Sequence, residues 1–215
     1  MGIRRLSVFL LLTTSLAIDN SGAKTAMVKA MTSTANLRTL NLSGNVQIGD
    51  GLVTGTGMTL TYTQGLNIDG STDDAHVKLT LAGAGSGFTD NITLGNGNNT
   101  VTDVSTTGTV NLTLGTGANY ITLGGATTNS TGRYNVTLGA GSAPDYITVG
   151  TGGTTYATTP NYVITGAQTG DRISFNADSL SSANALTATV PGGSASATIS
   201  AVESAAAFAH GVAYA

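Results

Sequence analysis

From about Thr39 onward the chain alternates apolar and polar residues with period two. Leu40, Leu42 and Val46 form one such set, Leu60 and Tyr62 the next, and Val77, Leu79 and Leu81 a third. Successive side chains of a strand point to opposite faces, so this period predicts short β-strands with one buried face and one face of Thr, Asn and Ser. Gly- and Asp-rich clusters at 49–51, 55–57, 69–74 and 82–87 punctuate the strands, and are expected to supply positive φ angles and side-chain-capped turns.

In the middle of the chain the alternation becomes a repeated phrase. It reads NITLGNGNNTVT at 91–102, NLTLGTGANYIT at 111–122 and NVTLGAGSAPDYIT at 135–148, so that its first Asn recurs after 20 and then 24 residues. A unit this short buries its apolar side only against its neighbours, which predicts a stacked solenoid. Turns fall in two alternating columns, one at 95–97, 115–117 and 139–141, the other at 105–108, 124–132 and 150–153. Coils of about two strands follow, with parallel strands of one wall about 4.8 Å apart. Ile92, Leu94, Val101, Leu112, Leu114, Ile121, Leu123, Val136, Leu138, Ile147 and Val149 are expected to face inward. The predicted fold class is all-β, a right-handed parallel β-roll or β-helix solenoid with a thin aliphatic core.

The flanks depart from the phrase. The turn interval over 21–78 is irregular, and leaves open either a continuing solenoid or a separate cap. Residues 1–20 place Arg4 and Arg5 before an apolar stretch reaching Ala17, the pattern of a short signal peptide or of a fragment start, and too short for a membrane span. Residues 161–175 predict two further strands around a Gly-Asp turn. Residues 176–215 are Ser/Ala-rich, broken by Pro191, Gly192 and Gly193, and end in an Ala-rich stretch. Val202, Phe208 and Val212 there have helix-compatible spacing, which predicts a short terminal helix in a capping region.

Composition narrows the chemistry. Of 215 residues only 9% are charged, the net charge is −3, and eight Lys plus Arg offer no basic patch for phosphates, which argues against nucleic acid. Cysteine is absent, so neither a disulfide framework nor a thiolate metal site can form. His76 and His210 are the only histidines, and neither a Gly-x-Ser-x-Gly elbow nor a His-Glu-x-x-His helix occurs. Each Gly-x-Gly is followed by a strand pattern rather than a helix, which removes the dinucleotide reading. No enzymatic constellation is expected. The Asn-x-Thr sequons arise from alternation and carry no weight as glycosylation sites.

The phrase resembles the nonapeptide of the repeats-in-toxin type, Gly-Gly-x-Gly-x-Asp-x-apolar-x, in a degenerate form over 79–175. The matching positions are Gly95, Gly97 and Asn99, then Gly115, Gly117 and Asn119, then Gly139, Gly141 and, after a two-residue insertion, Asp145. The resemblance implies Ca²⁺ clamped between turns of consecutive coils by carbonyls and Asp carboxylates. Asn99 and Asn119 supply neutral oxygens and Asp145 the only carboxylate in register, so a ladder of side-chain amides is the competing reading. Asp69, Asp73, Asp74, Asp90, Asp103 and Asp171 read as turn formers. Residues 162–175 also resemble the segment that closes the repeats in proteins exported by type I secretion, in bacterial surface-layer proteins and in large adhesins.

These resemblances imply a non-enzymatic structural segment of a secreted or cell-surface bacterial protein, tightened by calcium, whose partners are further copies or other surface-layer and adhesin domains. Two alternatives stay open. Thr93, Thr102, Thr113, Thr122, Thr137 and Thr148 form outward ranks suited to ice or polysaccharide, and the chain also has the character of the repeat tail of a larger exported hydrolase.

Overall fold

The computed structural model describes residues 4–9, 13–32, 34–50, 57–83, 87–104, 107–124, 132–149, 161–175, 185–189, 196–200 and 212–214. It is an all-β parallel solenoid of the right-handed β-roll or β-helix type, with one three-residue 3-10 turn, Thr34–Asn36, among the described residues. Two long sheets form the opposing walls. The nine-stranded sheet contains β2 (Ser15–Asn20), β4 (Thr39–Gly44), β7 (Asn67–Asp73), β9 (Thr89–Leu94), β11 (Thr109–Thr113), β13 (Arg133–Thr137), β15 (Asn161–Thr165), β17 (Ala185–Thr189) and β18 (Ser196–Ser200). The seven-stranded sheet contains β6 (Met58–Tyr62), β8 (Lys78–Gly83), β10 (Thr100–Asp103), β12 (Tyr120–Leu123), β14 (Tyr146–Val149), β16 (Arg172–Phe175) and β19 (Val212–Tyr214). A third sheet of β1 (Arg4–Phe9), β3 (Ala26–Thr32) and β5 (Val46–Ile48) lies beside the first coils.

From β7 to β16 the chain crosses between the two walls at every strand, which makes five two-strand coils. Stacking keeps equivalent residues in line. Ile68, Ile92, Leu112, Val136 and Ile164 are paired across the larger sheet. Leu79, Val101, Ile121, Ile147 and Ile173 are paired across the smaller one. Both rows are buried, as are all eleven positions expected to face inward from Ile92 to Val149. Burying each of these side chains contributes roughly 1.5–3 kcal/mol.

The larger wall extends back through β4 and β2 and the smaller through β6; β4 and β7 pair in parallel with one irregularity between Asn41 and Ser43. The expected turn cluster at 69–74 is instead mostly strand, because Ile68 and Gly70 pair with Ile92 and Leu94 and carry β7 through to Asp73. At the amino-terminal end, Arg4–Phe9 and Ser15–Asn20 are strands paired in parallel with β3 and β4.

The expected terminal helix is not what the described residues adopt. Val212–Tyr214 is a strand antiparallel to β16, since the edge of β16 offers unpaired backbone groups; residues 201–211, with Val202 and Phe208, lie outside the described residues. β17 and β18 likewise pair antiparallel, so both walls reverse direction at their last strand. Among the described residues no helix is long and apolar enough to cross a membrane.

Leu112→Ala, which empties a site 1% exposed in the middle of the stack, is expected to lower the unfolding free energy by about 2–5 kcal/mol. Thr113→Ala on the outer face of the same strand should change it by less than about 0.5 kcal/mol. Urea denaturation followed by circular dichroism measures both.

Candidate functional site: the turn column and the outer faces

Asn99, Asn119, Asp145 and Asp171 stand one above another where the turn after the larger sheet enters the smaller one. Each turns its side chain into the solenoid and accepts a hydrogen bond from the backbone N–H of the equivalent residue one coil earlier. Asn99 Oδ1 accepts from Val77 N at 3.2 Å, Asn119 Oδ1 from Asn99 N at 3.2 Å, Asp145 Oδ1 from Asn119 N at 2.9 Å and Asp171 Oδ1 from Asp145 N at 2.8 Å. The amides also donate upward: Asn99 Nδ2 to Asn119 Oδ1 at 3.1 Å, and Asn119 Nδ2 to Asp145 Oδ1 at 2.9 Å. All four side chains are buried. Asp171, read from sequence as a turn former, belongs to this column; the spacing Asx-x-Ile shared by Asn119, Asp145 and Asp171 was the available signal.

The repeat glycines lie in the same turns for a reason other than positive φ. Positive φ occurs at Gly44, Gly49, Gly87, Gly108, Gly124, Gly166 and Gly170, and not at Gly95, Gly97, Gly115, Gly117, Gly139 or Gly141. A Cβ at Gly95 would meet the Asp73 carbonyl oxygen, one at Gly97 that of Ala75, and one at Gly117 that of Gly97. At Gly115, Gly139 and Gly141 the turn below is equally close. Glycine is required because successive turns touch backbone to backbone.

This donor set does not fit a calcium ion. The Oδ1 atoms of the column are occupied by N–H donors. The amide nitrogen of Asn99 is bonded to Gly95 O, and that of Asn119 to Gly115 O and Gly117 O. A hard cation needs six or more oxygens aimed at one point; here the carbonyls of Gly95, Gly115 and Gly117 accept from the column's own amides. Among the described residues no three His, Cys, Asp or Glu side chains gather in a group that could hold a metal.

The remaining carboxylates divide by burial. Asp69 is exposed, and the hydrogen bonds from Ser71 hold its carboxyl below the ordinary value. Asp74 accepts from Asn96 Nδ2 on the outer rim. Asp73 is buried and receives Val46 N and Ala75 N. Asp90 and Asp103, expected at turns or strand ends, point inward from β9 and β10. Asp90 takes the Tyr62 hydroxyl at 2.5 Å and Leu66 N at 2.8 Å. Burial raises the carboxyls of Asp73 and Asp90. Burial also lifts Asp145 to about 6 from its ordinary 3.8, opposed by the bonds from Asn119 and aided by the charge of Asp171. His76 Nδ1 accepts from Asn98 N at 3.0 Å and thereby belongs to the turn packing; His210 lies outside the described residues.

The outer faces of the two walls differ. On the larger sheet Asn67, Asn91, Asn111 and Asn135, the first residues of the repeated phrase and its antecedent, form a ladder in which each amide donates to the preceding one at 2.8–2.9 Å. Beside it Thr93, Thr113, Thr137 and Thr165 are in register. On the smaller sheet Thr59, Thr80, Thr102, Thr122, Thr148 and Ser174 form a column without a register shift. Its neighbour runs Lys78, Thr100, Tyr120, Tyr146 and Arg172. The Tyr120 and Tyr146 rings stack at 4.8 Å and the Arg172 guanidinium lies 5.8 Å from the Tyr146 centroid. The exposed Asn ladder escapes the sequence reading, in which Asn91, Asn111 and Asn135 open the repeated phrase and its Asn-x-Thr sequons.

Compared with protein-family models, curated proteins and solved structures, the chain matches none. The fold therefore defines a class, the parallel β-solenoids.

Two outcomes test the column. Because Asp145 binds its proton more tightly when folded than when unfolded, its contribution to stability is complete below about pH 4 and is lost as pH rises through about 6. Asp73 and Asp90 act in the same sense. The melting temperature should thus be higher at pH 5 than at pH 7.5, and Asp145→Asn should flatten that difference. Gly117→Ala should cost about 1–3 kcal/mol by overpacking against the Gly97 turn, read from chemical denaturation.

Proposed function

We propose that this chain is a non-enzymatic structural segment of a secreted or cell-surface bacterial protein, a degenerate relative in kind of the repeats-in-toxin rolls found in surface layers and adhesins. The observation that carries the reading is the buried column of Asn99, Asn119, Asp145 and Asp171, whose polar groups are spent on the neighbouring coil. Functional groups committed to holding coil to coil build a stiff wall or spacer rather than a reaction centre. The low charge and hydroxyl-rich outer faces suit a surface that meets solvent and neighbouring copies without strong fields.

In this reading the side-chain column takes over the task that calcium performs in acidic rolls, and coil stacking proceeds without the metal. Far-UV circular dichroism and thermal melting in EDTA and in millimolar Ca²⁺ are expected to coincide. A β signal that appears only on adding Ca²⁺ would overturn the column as the clamp between coils. Protease shaving of intact producing cells tests the location, with digestion of the exposed chain expected and recovery solely from the cytoplasm counting against it.

A further inference from the structure

The larger wall ends on an open strand at its amino-terminal side. Among the described residues β2 has β4 on one flank and no strand on the other. Backbone groups of a parallel strand face its two flanks at alternate residues, and the carbonyls of Thr14 and Asn20 are bonded towards 38–45. The N–H and C=O groups of Ser15, Ala17 and Asp19 therefore face away from β4. The core is open there as well. Leu16 and Ile18 continue the rows of Leu40 and Leu42, which are buried, yet are themselves only half-buried. An edge with open backbone groups and half-buried apolar residues invites a further strand.

The distribution of charge along the chain selects the partner. Residues 1–49 hold five of the eight cations and one of the eleven carboxylates, Asp19, whereas residues 50–215 hold the other three cations and ten carboxylates. Lys24, in the turn that leaves β2, and Lys29, the residue skipped where β1 and β3 shift register, are both exposed. Neither forms an ion pair or a side-chain hydrogen bond with another described residue. Residues 176–215 hold Asp178 and Glu203 and neither Lys nor Arg. Two amino-terminal ends repel, while an amino-terminal and a carboxy-terminal end attract.

The carboxy-terminal end of the same wall is β18, antiparallel to β17 and likewise the last strand of its sheet. Through β17, Ala197 and Ile199 stand in the register rows of Ile164 and Tyr162, and Ser196, Thr198 and Ser200 alternate with them. Resting on the structural role given above, we propose that copies of this chain join head to tail, β2 of one pairing antiparallel with β18 of the next. Setting Ala17 opposite Thr198 of the next copy matches the alternation throughout: Leu16 with Ile199, Ile18 with Ala197, Ser15 with Ser200 and Asp19 with Ser196. The larger wall then runs on through the junction, and the cationic end of one copy meets the acidic end of another. Such a contact is heterologous and does not close, so its product is a filament rather than a dimer.

Sedimentation velocity of the full chain over a range of concentrations tests this. Species that grow beyond a dimer are expected, and they should shrink at high salt because exposed charges contribute. Ala17→Pro removes an edge N–H that β4 does not use, so it should abolish growth while leaving far-UV circular dichroism and the melting temperature unchanged. Lys24→Glu with Lys29→Glu should weaken association by about tenfold, and adding Asp178→Lys with Glu203→Lys should restore it. A monomer at every concentration, growth that stops at a dimer, or indifference to both Ala17→Pro and the charge reversal overturns the proposal. So does pelleting with vesicles of phosphatidylcholine and phosphatidylserine in place of self-association, which would assign the cationic end to an anionic surface. Melting in EDTA or Ca²⁺ and the shaving of producing cells do not depend on association, so the filament and the structural role fail separately.

Discussion

Everything in this molecule depends on the distance between successive coils. Parallel strand pairing sets it at about 4.8 Å, and the turns must accept the same spacing although they have no ladder of their own. Glycine at 95, 97, 115, 117, 139 and 141 lets turn backbones meet directly, where any side chain would hold the coils apart. With the turns in contact, the N–H groups just inside them face the interior and need partners. Asn99, Asn119, Asp145 and Asp171 supply those partners from the next coil. The glycines and the Asx residues of the repeat are thus two halves of one solution.

That solution governs the electrostatics. A column of neutral amides can be buried indefinitely, because each side chain both accepts and donates. A carboxylate in the same place accepts only, and burying its charge costs free energy. The change from Asn119 to Asp145 therefore brings a proton-sensitive group into the column, with burial lifting Asp145 to about 6. Asp90 meets the same problem inside β9 and answers it with the Tyr62 hydroxyl. Tyr134 and Tyr162 continue that interior position as a stacked pair with centroids 4.9 Å apart.

The periodicity also explains why two walls built from one repeat present different chemistry. Register repeats whatever stands outward, so a single Asn at the start of the phrase becomes a bonded ladder and a single Thr becomes a hydroxyl rank. Asn side chains satisfy one another across 4.8 Å, because an amide has both a donor and an acceptor at suitable reach. Thr hydroxyls in the smaller sheet do not reach their neighbours, and their capacity stays directed outward.

The alternation of Leu, Ile and Val with Thr and Asn was sufficient to specify strands, inward residues and a stacked all-β solenoid, since period two and a repeat of 20 to 24 residues admit few other packings. The elements that escaped it were those fixed by contact with another coil. Asp73 lies in a strand because Ile68 and Gly70 find partners in β9, and Val212–Tyr214 is extended because β16 offers an edge. Asp171 joined the column through alignment across a coil of different length, and the exposed Asn ladder through register. The roles of the glycines were equally invisible, as a residue demanded by the approach of a neighbouring turn looks the same in sequence as one demanded by positive φ. Local pattern determined the coil; the spacing between coils, a tertiary quantity, decided which polar groups are spent inside and which remain on the outer faces.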